Sequence, residues 1–423
     1  MKILTNRSVC WFFYLENVKG DIFMRVVLKY GGSSVATIEK IKAIAEYIVN
    51  LKKTKYDEVI VVASAMGKTT NALIAMAKEI SETPSQRELD SLLSTGEQQT
   101  VSLLSMAINS MGQKAVSLTG YQANVKTVGV HTKSKIKRID TERIEEYLKE
   151  DNVVIVAGFQ GINENGDITT LGRGGSDTSA VALAVSLNCE CKIYTDVEGI
   201  YSVDPRLYSD SKFLDKISYE EMMEMANLGA GIMETRAVEI GKKYNIPIFV
   251  GKTLSETGGT WIMDMNDILE DKLVTGISVT REIIVTTLSK IEYSSERIAK
   301  IFSIINEVGL NINMISQNVT NDGIAKISFS CVEGERYLLE QAISKIKQDI
   351  NCELDYQDNM AMLSIVGVGM INNSGVSGKF FKALSMAGVN FYQVTTSEIS
   401  VSCSIDRKDI NVAVEKVARE FNL

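Results

Sequence analysis

MRVVLKYGGSS, residues 24–34, is the stretch that decides the fold. Val26 to Leu28 is short, apolar and largely β-branched, as a strand buried on both faces should be, and the pair Gly31-Gly32 ends it. Ile38, Ile41, Ile44, Ala45, Ile48 and Leu51 then recur at helical spacing, with Ser33 or Ser34 expected to cap that helix. Val59 to Ala63 supplies the next buried strand. Strand, loop, helix, strand predicts an α/β domain of three layers around a mostly parallel sheet. Val153 to Ala157, Lys192 to Thr195 and Ile246 to Val250 carry the same strand signal, and the alternation runs to about Ser278.

Beyond that point the chain repeats itself. KIFSIINEVGLNI (Lys300 to Ile312) aligns without gaps on KFFKALSMAGVNF (Lys379 to Phe391). Each copy reads as an amphipathic helix, a closing glycine (Gly309 or Gly388) and a strand, and each follows a β-rich run, Ile283 to Leu288 or Met360 to Val366. The tail is expected to be two copies of one small βαβ-type unit. Gly251 to Asp271, with Gly258-Gly259 and little periodicity, is the expected passage into it.

Composition limits the chemistry. At 423 residues and 45% hydrophobic the chain has room for two or three cores. The net charge of −8 gives no global positive field for nucleic acid, so any anion must be held by a local cluster. No apolar run approaches the ~20 residues of a membrane span. His131 is the one histidine, which excludes Ser-His-Asp triads, HExxH zinc sites and any histidine relay not built on it. Its neighbours Lys133, Lys135 and Lys137 place it on an expected solvated loop. The six cysteines contain no CxxC pair; free thiols in a reducing cytoplasm are expected, with Cys189 and Cys191 packed in the core.

Residues 1–23 lack a long apolar region and a small-residue cleavage site, so no signal peptide is expected there. They read as an extension upstream of the true start, with Met24 opening the first strand.

Five segments carry chemistry. KYGGSS (Lys29 to Ser34) sits where a strand meets a helix; its glycines admit an anion to the backbone and Lys29 adds a point charge, which suits a nucleotide phosphate, while a plain tight turn is the simpler reading. TTLGRGGSDTSA (Thr169 to Ala180) sets Arg173 among Gly172, Gly174 and Gly175, with Ser176-Asp177 opening a helix; a forked guanidinium there suits a carboxylate. ASAMGKTTN (Ala63 to Asn71) offers Ser64, Thr69, Thr70 and Asn71. LLSTGEQQT (Leu92 to Thr100) is read as a Ser-Thr-Gly turn with Glu97 in the first turn of the helix that follows. YTDVEGIYSVDPR (Tyr194 to Arg206) gathers Asp196, Tyr201, Asp204 and Arg206 around a loop.

Together with GFQG (Gly158 to Gly161) and GVNFYQVTTSEISVSCSI near the end, these segments resemble the aspartate kinases of the amino acid kinase superfamily over nearly everything after Met24. TLGRGGSD followed by TDVxGIYxxDPR is the specific part, and the repeat resembles the family's tandem ACT regulatory domains. The resemblance implies a three-layer αβα amino acid kinase domain at residues 24–278, then ACT-type βαββαβ-like domains at 283–356 and 360–423. It implies ATP-dependent phosphorylation of the β-carboxylate of L-aspartate to 4-phospho-L-aspartate and ADP with Mg²⁺, the first step of lysine, threonine and methionine biosynthesis.

By the same resemblance, Lys29, Gly31 and Gly32 would hold the transferring phosphates with Ser33 nearby, and Asp177 would organise Lys29. Arg173 would clamp the α-carboxylate of aspartate and Glu97 its amino group, with Ser64, Thr70 and Ser176 as further contacts and Phe159 packed beside the substrate. Thr195, Asp196, Tyr201 and Arg206 would line the nucleotide site. In the tail, Met314, Ser316, Gln317, Asn318, Val376, Thr395 and Thr396 are effector-site candidates for lysine, threonine or both, with strand packing as the plainer account of each. Pairing of ACT sheets implies a homodimer or a dimer of dimers.

One segment departs from the pattern. Where many members have GAKVLHPRA, this chain has GAGIMETRA (Gly229 to Ala237), so Gly231 stands for a phosphate-site lysine and Glu234-Thr235 for His-Pro. Arg236 or Lys242 would have to supply the missing charge. The chemistry itself suits a histidine-poor protein: a β-carboxylate with a pKa near 3.9 is already ionised at neutral pH, so positioning and charge neutralisation suffice. The rival readings are another small-carboxylate or nucleotide kinase on this fold, and an amino-acid sensor in which Gly231 marks a silent kinase.

Overall fold

The computed structural model describes residues 15–16, 22–255, 257–265, 272–371, 373 and 375–423. Most of the expected extension before Met24, and residues 266–271 of the expected passage, lie outside the described residues.

The strand–helix alternation builds an eight-stranded sheet. Its elements in chain order are β1 (Arg25–Tyr30), α1 (Ile38–Thr54), β2 (Glu58–Ala63), α2 (Thr69–Ile80), α3 (Gln86–Ser110) and β3 (Ala115–Leu118). There follow β4 (Val125–Val128), β5 (Lys135–Ile139), α4 (Glu142–Lys149), β6 (Val153–Ala157), β7 (Gln160–Ile162), β8 (Ile168–Thr170), α5 (Gly175–Ser186) and β9 (Glu190–Thr195). The last are β10 (Lys216–Ser218), α6 (Tyr219–Asn227), α7 (Thr235–Tyr244), β11 (Ile248–Lys252) and β12 (Thr260–Met263).

The sheet order is β10-β12-β11-β9-β1-β2-β6-β3, parallel from β11 to β3, with β12 antiparallel to β11. Strands buried on both faces explain the unbroken apolar runs: Val26, Val27 and Leu28 are all fully buried. On one face Ile41, Ile44 and Ile48 of α1 and Val101, Leu104 and Ile108 of α3 pack on Val26, Leu28, Val59, Val61 and Ile155. Each such side chain contributes roughly 1.5–3 kcal/mol. α5 covers β1 and β2 with Val181, Leu183 and Ala184 buried. A separate four-stranded sheet, β8-β7-β4-β5, lies beside this core.

Two local expectations are corrected. The cap of α1 is Thr37, whose hydroxyl accepts the Lys40 N–H at 3.3 Å, not Ser33 or Ser34. The chain turns tightly through Gly31–Val35, with Ser34 N–H donating to Gly31 O, before the helix begins. Glu97 does not open a helix either. Ser94, Thr95 and Gly96 lie inside α3, where Ser94 and Thr95 bond back to the Ser91 and Leu92 carbonyls.

A second compact unit takes Tyr201–Lys212, Glu224–Gly231 and Asp267–Leu423; the first takes the rest. Its strands and helices are β13 (Gly276–Glu292), α8 (Ser295–Glu307), β14 (Asn313–Val319), β15 (Ile324–Val332), α9 (Arg336–Asp349), β16 (Glu353–Val366), α10 (Val376–Met386), β17 (Phe391–Thr396), β18 (Ser400–Asp406) and α11 (Ile410–Glu420). The repeated helices end as the sequence indicates, on Gly309 and Gly388 at φ +74° and +68°.

These strands form one six-stranded sheet, β14-β15-β13-β16-β18-β17, not two separate ones. β13 and β16 are long enough to serve both halves, pairing from Gly276↔Val366 to Ser289↔Glu353 through shifts at Thr280–Val285. One half has its own core under α8 and α9, around Ile301, Phe329 and Leu339; the other lies under α10 and α11, around Leu363, Phe380 and Val414. The half beginning at Met360 takes its fourth strand from Gly276–Thr280, ahead of the first half in the chain.

Candidate active site

The site gathers where β1, β2 and β6 end and α5 begins. Lys29 points from the end of β1 toward the first turn of α5, and its Nζ lies 2.6 Å from Asp177 Oδ1. Lys29 is 9% exposed, so water screens this opposite-charge contact less than a surface pair, while the desolvation of both charges offsets part of the gain. α5 starts on Gly174 at φ +66° with no side-chain cap. In its first turn the Gly175 N–H donates to Gly172 O at 3.1 Å and the Asp177 N–H to Gly174 O at 3.0 Å, and the positive end of the helix dipole faces the site.

Gly32 is required by close approach: a Cβ there would lie 2.8 Å from Ala65 O. Gly67 N–H donates to Gly32 O at 3.0 Å, so the loops after β1 and β2 are sewn together. Ser64 follows β2, donating its N–H to Tyr30 O, and Thr70 sits in the first turn of α2; both are half-buried. Ser33 is exposed, and its carbonyl accepts from Lys40 Nζ.

Glu97 approaches the same loop from α3. Its Oε1 accepts the Ala65 N–H at 3.1 Å, while Oε2 is buried with no hydrogen-bond partner among the described residues. Gly96 permits this, since a Cβ there would lie 2.9 Å from the Ala65 Cβ. Burial pushes the Glu97 carboxyl up to about 7, against the pull of the Ala65 N–H. A buried acceptor with a vacant oxygen asks for a cationic ligand.

Phe159 holds φ +69°, giving its N–H to Ser179 Oγ at 3.0 Å and its carbonyl to Leu171 N–H at 2.9 Å. Ser176 is buried, with its Cβ 3.0 Å from where a Gly158 Cβ would stand. Arg173 is exposed at the tip of the Gly172–Gly174 loop. Its charge acts on the Glu234 carboxyl, and its backbone neighbours have φ of +78° and +66°.

Of the two cations expected to supply the charge missing at Gly231, neither is at the Lys29–Asp177 contact. Arg236 donates to Leu171 O at 2.7 Å and Ser134 O at 3.1 Å, and Lys242 pairs with Glu220 at 2.8 Å. The Arg236 guanidinium is thus tied to two backbone carbonyls, whereas the Lys242 pair is exposed on both sides. Glu234 lies against Gly174, and burial raises its carboxyl, with Arg236 opposing and Asp177 adding to the rise.

On the expected nucleotide side, Thr195 ends β9, its hydroxyl donates to Asp196, and its carbonyl accepts from Thr253. Tyr201 and Arg206 group with the second unit instead; Arg206 is mostly exposed and forked onto Asp204 of its own turn at 2.9 Å.

His131 lies half-buried on the loop between β4 and β5, where residues 128–130 and Lys133 are exposed. Its Nδ1 lies 2.8 Å from Asp90, a fully buried carboxylate of α3 that the sequence reading missed. The available signal was spacing, because Asp90, Ser94 and Glu97 fall on one helix face and all three are buried.

In the second unit Ser316, Gln317 and Asn318 are exposed on β14, and Thr395 and Thr396 lie on β17. The sheet brings these outer strands within 8 Å between Cα atoms. Met314 is buried with Ile283, Val285, Met360 and Met362. Val376 is separate from them, packed in the core under α10 and α11.

Residues 24–252 match the model of the amino acid kinase family, and residues 363–421 match that of the ACT domain. The aspartokinase of Geobacillus stearothermophilus is 43% identical over 399 residues, covering 94% of this chain and 97% of that one. An aspartokinase of Bacillus sp. (strain MGA3) is 42% identical with the same coverage. The crystal structure of E. coli aspartokinase III in complex with aspartate and ADP superposes with a TM-score of 0.76 at 22% identity, over 93% of this chain and 99% of that one.

Proposed function

The chain belongs to the aspartokinases of the amino acid kinase family and is a kinase with an ACT regulatory region, and we propose that it transfers the γ-phosphoryl group of Mg·ATP to the β-carboxylate of L-aspartate. The products are 4-phospho-L-aspartate and ADP. Glu97 is the observation that carries the reading of the acceptor, because its buried, unpartnered Oε2 fits an ammonium group. Binding that ammonium returns the carboxyl to its ionised form.

The reaction requires two anions to meet. Mg²⁺ arrives as part of the nucleotide substrate; among the described residues no group of three or more potential ligand side chains forms a protein cage for it. Lys29, held by Asp177, neutralises charge on the transferring phosphoryl group, and the N–H groups at Gly31-Gly32 and at the start of α5 add dipoles. Arg173 takes the α-carboxylate in a two-pronged contact and Glu97 the amino group, leaving the β-carboxylate to face the phosphorus. Ser64, Thr70 and Ser176 supply the remaining polar contacts, Phe159 packs alongside, and Thr195 and Asp196 attend the nucleotide.

The ACT region then binds an amino-acid effector, lysine, threonine or both, through Ser316, Gln317, Asn318, Thr395 and Thr396, in a cytoplasmic homodimer or dimer of dimers. The deciding experiment measures ADP release with Mg·ATP and L-aspartate, with succinate as the acceptor lacking an amino group. Turnover with aspartate and little with succinate supports the reading; no aspartate-dependent ADP release overturns it.

A further inference from the structure

Asp90 is a carboxylate that the reaction does not use, yet it is fully buried and surrounded by donors. Thr170 Oγ1 donates to Oδ1 at 2.5 Å, the Thr132 N–H reaches Oδ2 at 2.9 Å, and His131 Nδ1 lies 2.8 Å from Oδ2. With the hydroxyl and amide already donating to this carboxylate, His131 contributes its Nδ1–H as a third donor.

These contacts surround the root of the arginine loop. Thr170 immediately precedes Leu171-Gly172-Arg173, and its carbonyl accepts the Ser134 N–H at 3.0 Å. Gly172 lies so close to the histidine loop that a Cβ on it would be 3.1 Å from Thr132 O. On the far side Arg236 grips both Leu171 O and Ser134 O. The arginine loop thus has its base fixed through buried hydrogen bonds, while the Arg173 side chain is exposed.

We propose that Asp90 and His131 are positioning residues that clamp the Leu171–Gly174 loop and so aim Arg173 at the acceptor carboxylate. This rests on the aspartate kinase reading for what Arg173 binds, but the clamp itself does not. α3 then does two jobs along one face: Glu97 addresses the substrate's amino end directly, and Asp90, seven residues earlier, sets the group for its carboxylate end through the loop. Misplacement of a binding group by about 1 Å costs up to ~100-fold in rate, so a loosened loop should be visible in the use of aspartate.

The test compares the full chain with His131→Ala, His131→Asn and Asp90→Asn. His131→Asn keeps an N–H donor near the place of Nδ1, whereas alanine has none. Hydrogen exchange at Leu171–Ser176 should quicken about tenfold in His131→Ala and Asp90→Asn and return toward wild type in His131→Asn. The KM for aspartate should rise about tenfold in the same two variants with the KM for ATP unchanged. Unchanged loop exchange in both variants, or KM values for aspartate and ATP that rise together with no rescue by asparagine, overturns the clamp. If the wild-type chain releases no ADP with aspartate, the kinase reading fails, and the exchange comparison alone still decides the clamp.

Discussion

Lys29 Nζ lies 2.6 Å from Asp177 Oδ1, joining the end of the central strand to the first turn of α5. The two ends of this contact come from segments far apart in the chain, and both side chains are mostly buried: 11% and 13% exposed. Lys29→Ala should lower kcat by at least ~100-fold, as the loss of an electrostatic contact to the transition state does. The fold should survive, because the strand around it is packed on both faces. Near wild-type kcat, measured by ADP release, would remove Lys29 from the mechanism.

Glu97 makes the pH dependence specific. Its carboxyl stands at about 7 in the folded protein against an ordinary 4.5, so the folded state keeps a proton that the unfolded chain loses. Stability should therefore fall as pH rises from about 4.5 to about 7, by up to about 3 kcal/mol, and then level off. Glu97→Gln should lack that slope in urea unfolding across the same range. In the active enzyme, aspartate should bind more tightly as pH rises through 7 and Glu97 ionises, whereas the KM for aspartate of Glu97→Gln should be high and flat.

Arg173 is exposed and lies between two glycines at positive φ, so its substitution should cost the fold little. Arg173→Ala should raise the KM for aspartate while leaving the KM for ATP near wild type. Arg173→Lys should not restore it, because an ammonium cannot reproduce the fork of a guanidinium on a carboxylate. Equal damage to both substrates would place Arg173 on the nucleotide instead.

Gly32→Ala tests the phosphate loop by shape alone. The new Cβ would lie 2.8 Å from Ala65 O, a backbone atom that cannot rotate aside. The loops after β1 and β2 must part, loosening the Gly67 N–H to Gly32 O bond. A loss of about 1–3 kcal/mol in stability is expected, with a raised KM for ATP, read by thermal unfolding and steady-state kinetics. An unchanged KM for ATP would mean that the loop does not touch the phosphates.

The buried strands and the helix periodicity of α1 could be read without a structure, because strands covered on both faces must be apolar throughout and an amphipathic helix must repeat near every fourth residue. The cap at Thr37 and the continuous run of α3 through Ser94-Thr95-Gly96 could not. Those choices depend on what packs nearby: Gly96 is needed to let α3 approach Ala65, and turn-forming residues hold a helix when their hydroxyls bond back within it.

By itself the sequence determined the α/β class, the repeated tail with its helix-ending glycines, and the chemistry-bearing segments around Lys29, Glu97 and Arg173, all of which are written in local patterns of polarity and backbone freedom. Tertiary structure decided which of those groups meet. It paired Lys29 with Asp177, left one oxygen of Glu97 unpartnered, tied Arg236 to two backbone carbonyls, and drew His131 onto Asp90. It also made one sheet from the two tail repeats by running β13 and β16 through both halves. Contacts between residues distant in the chain depend on where packing brings the backbone, and no short window of sequence carries that information.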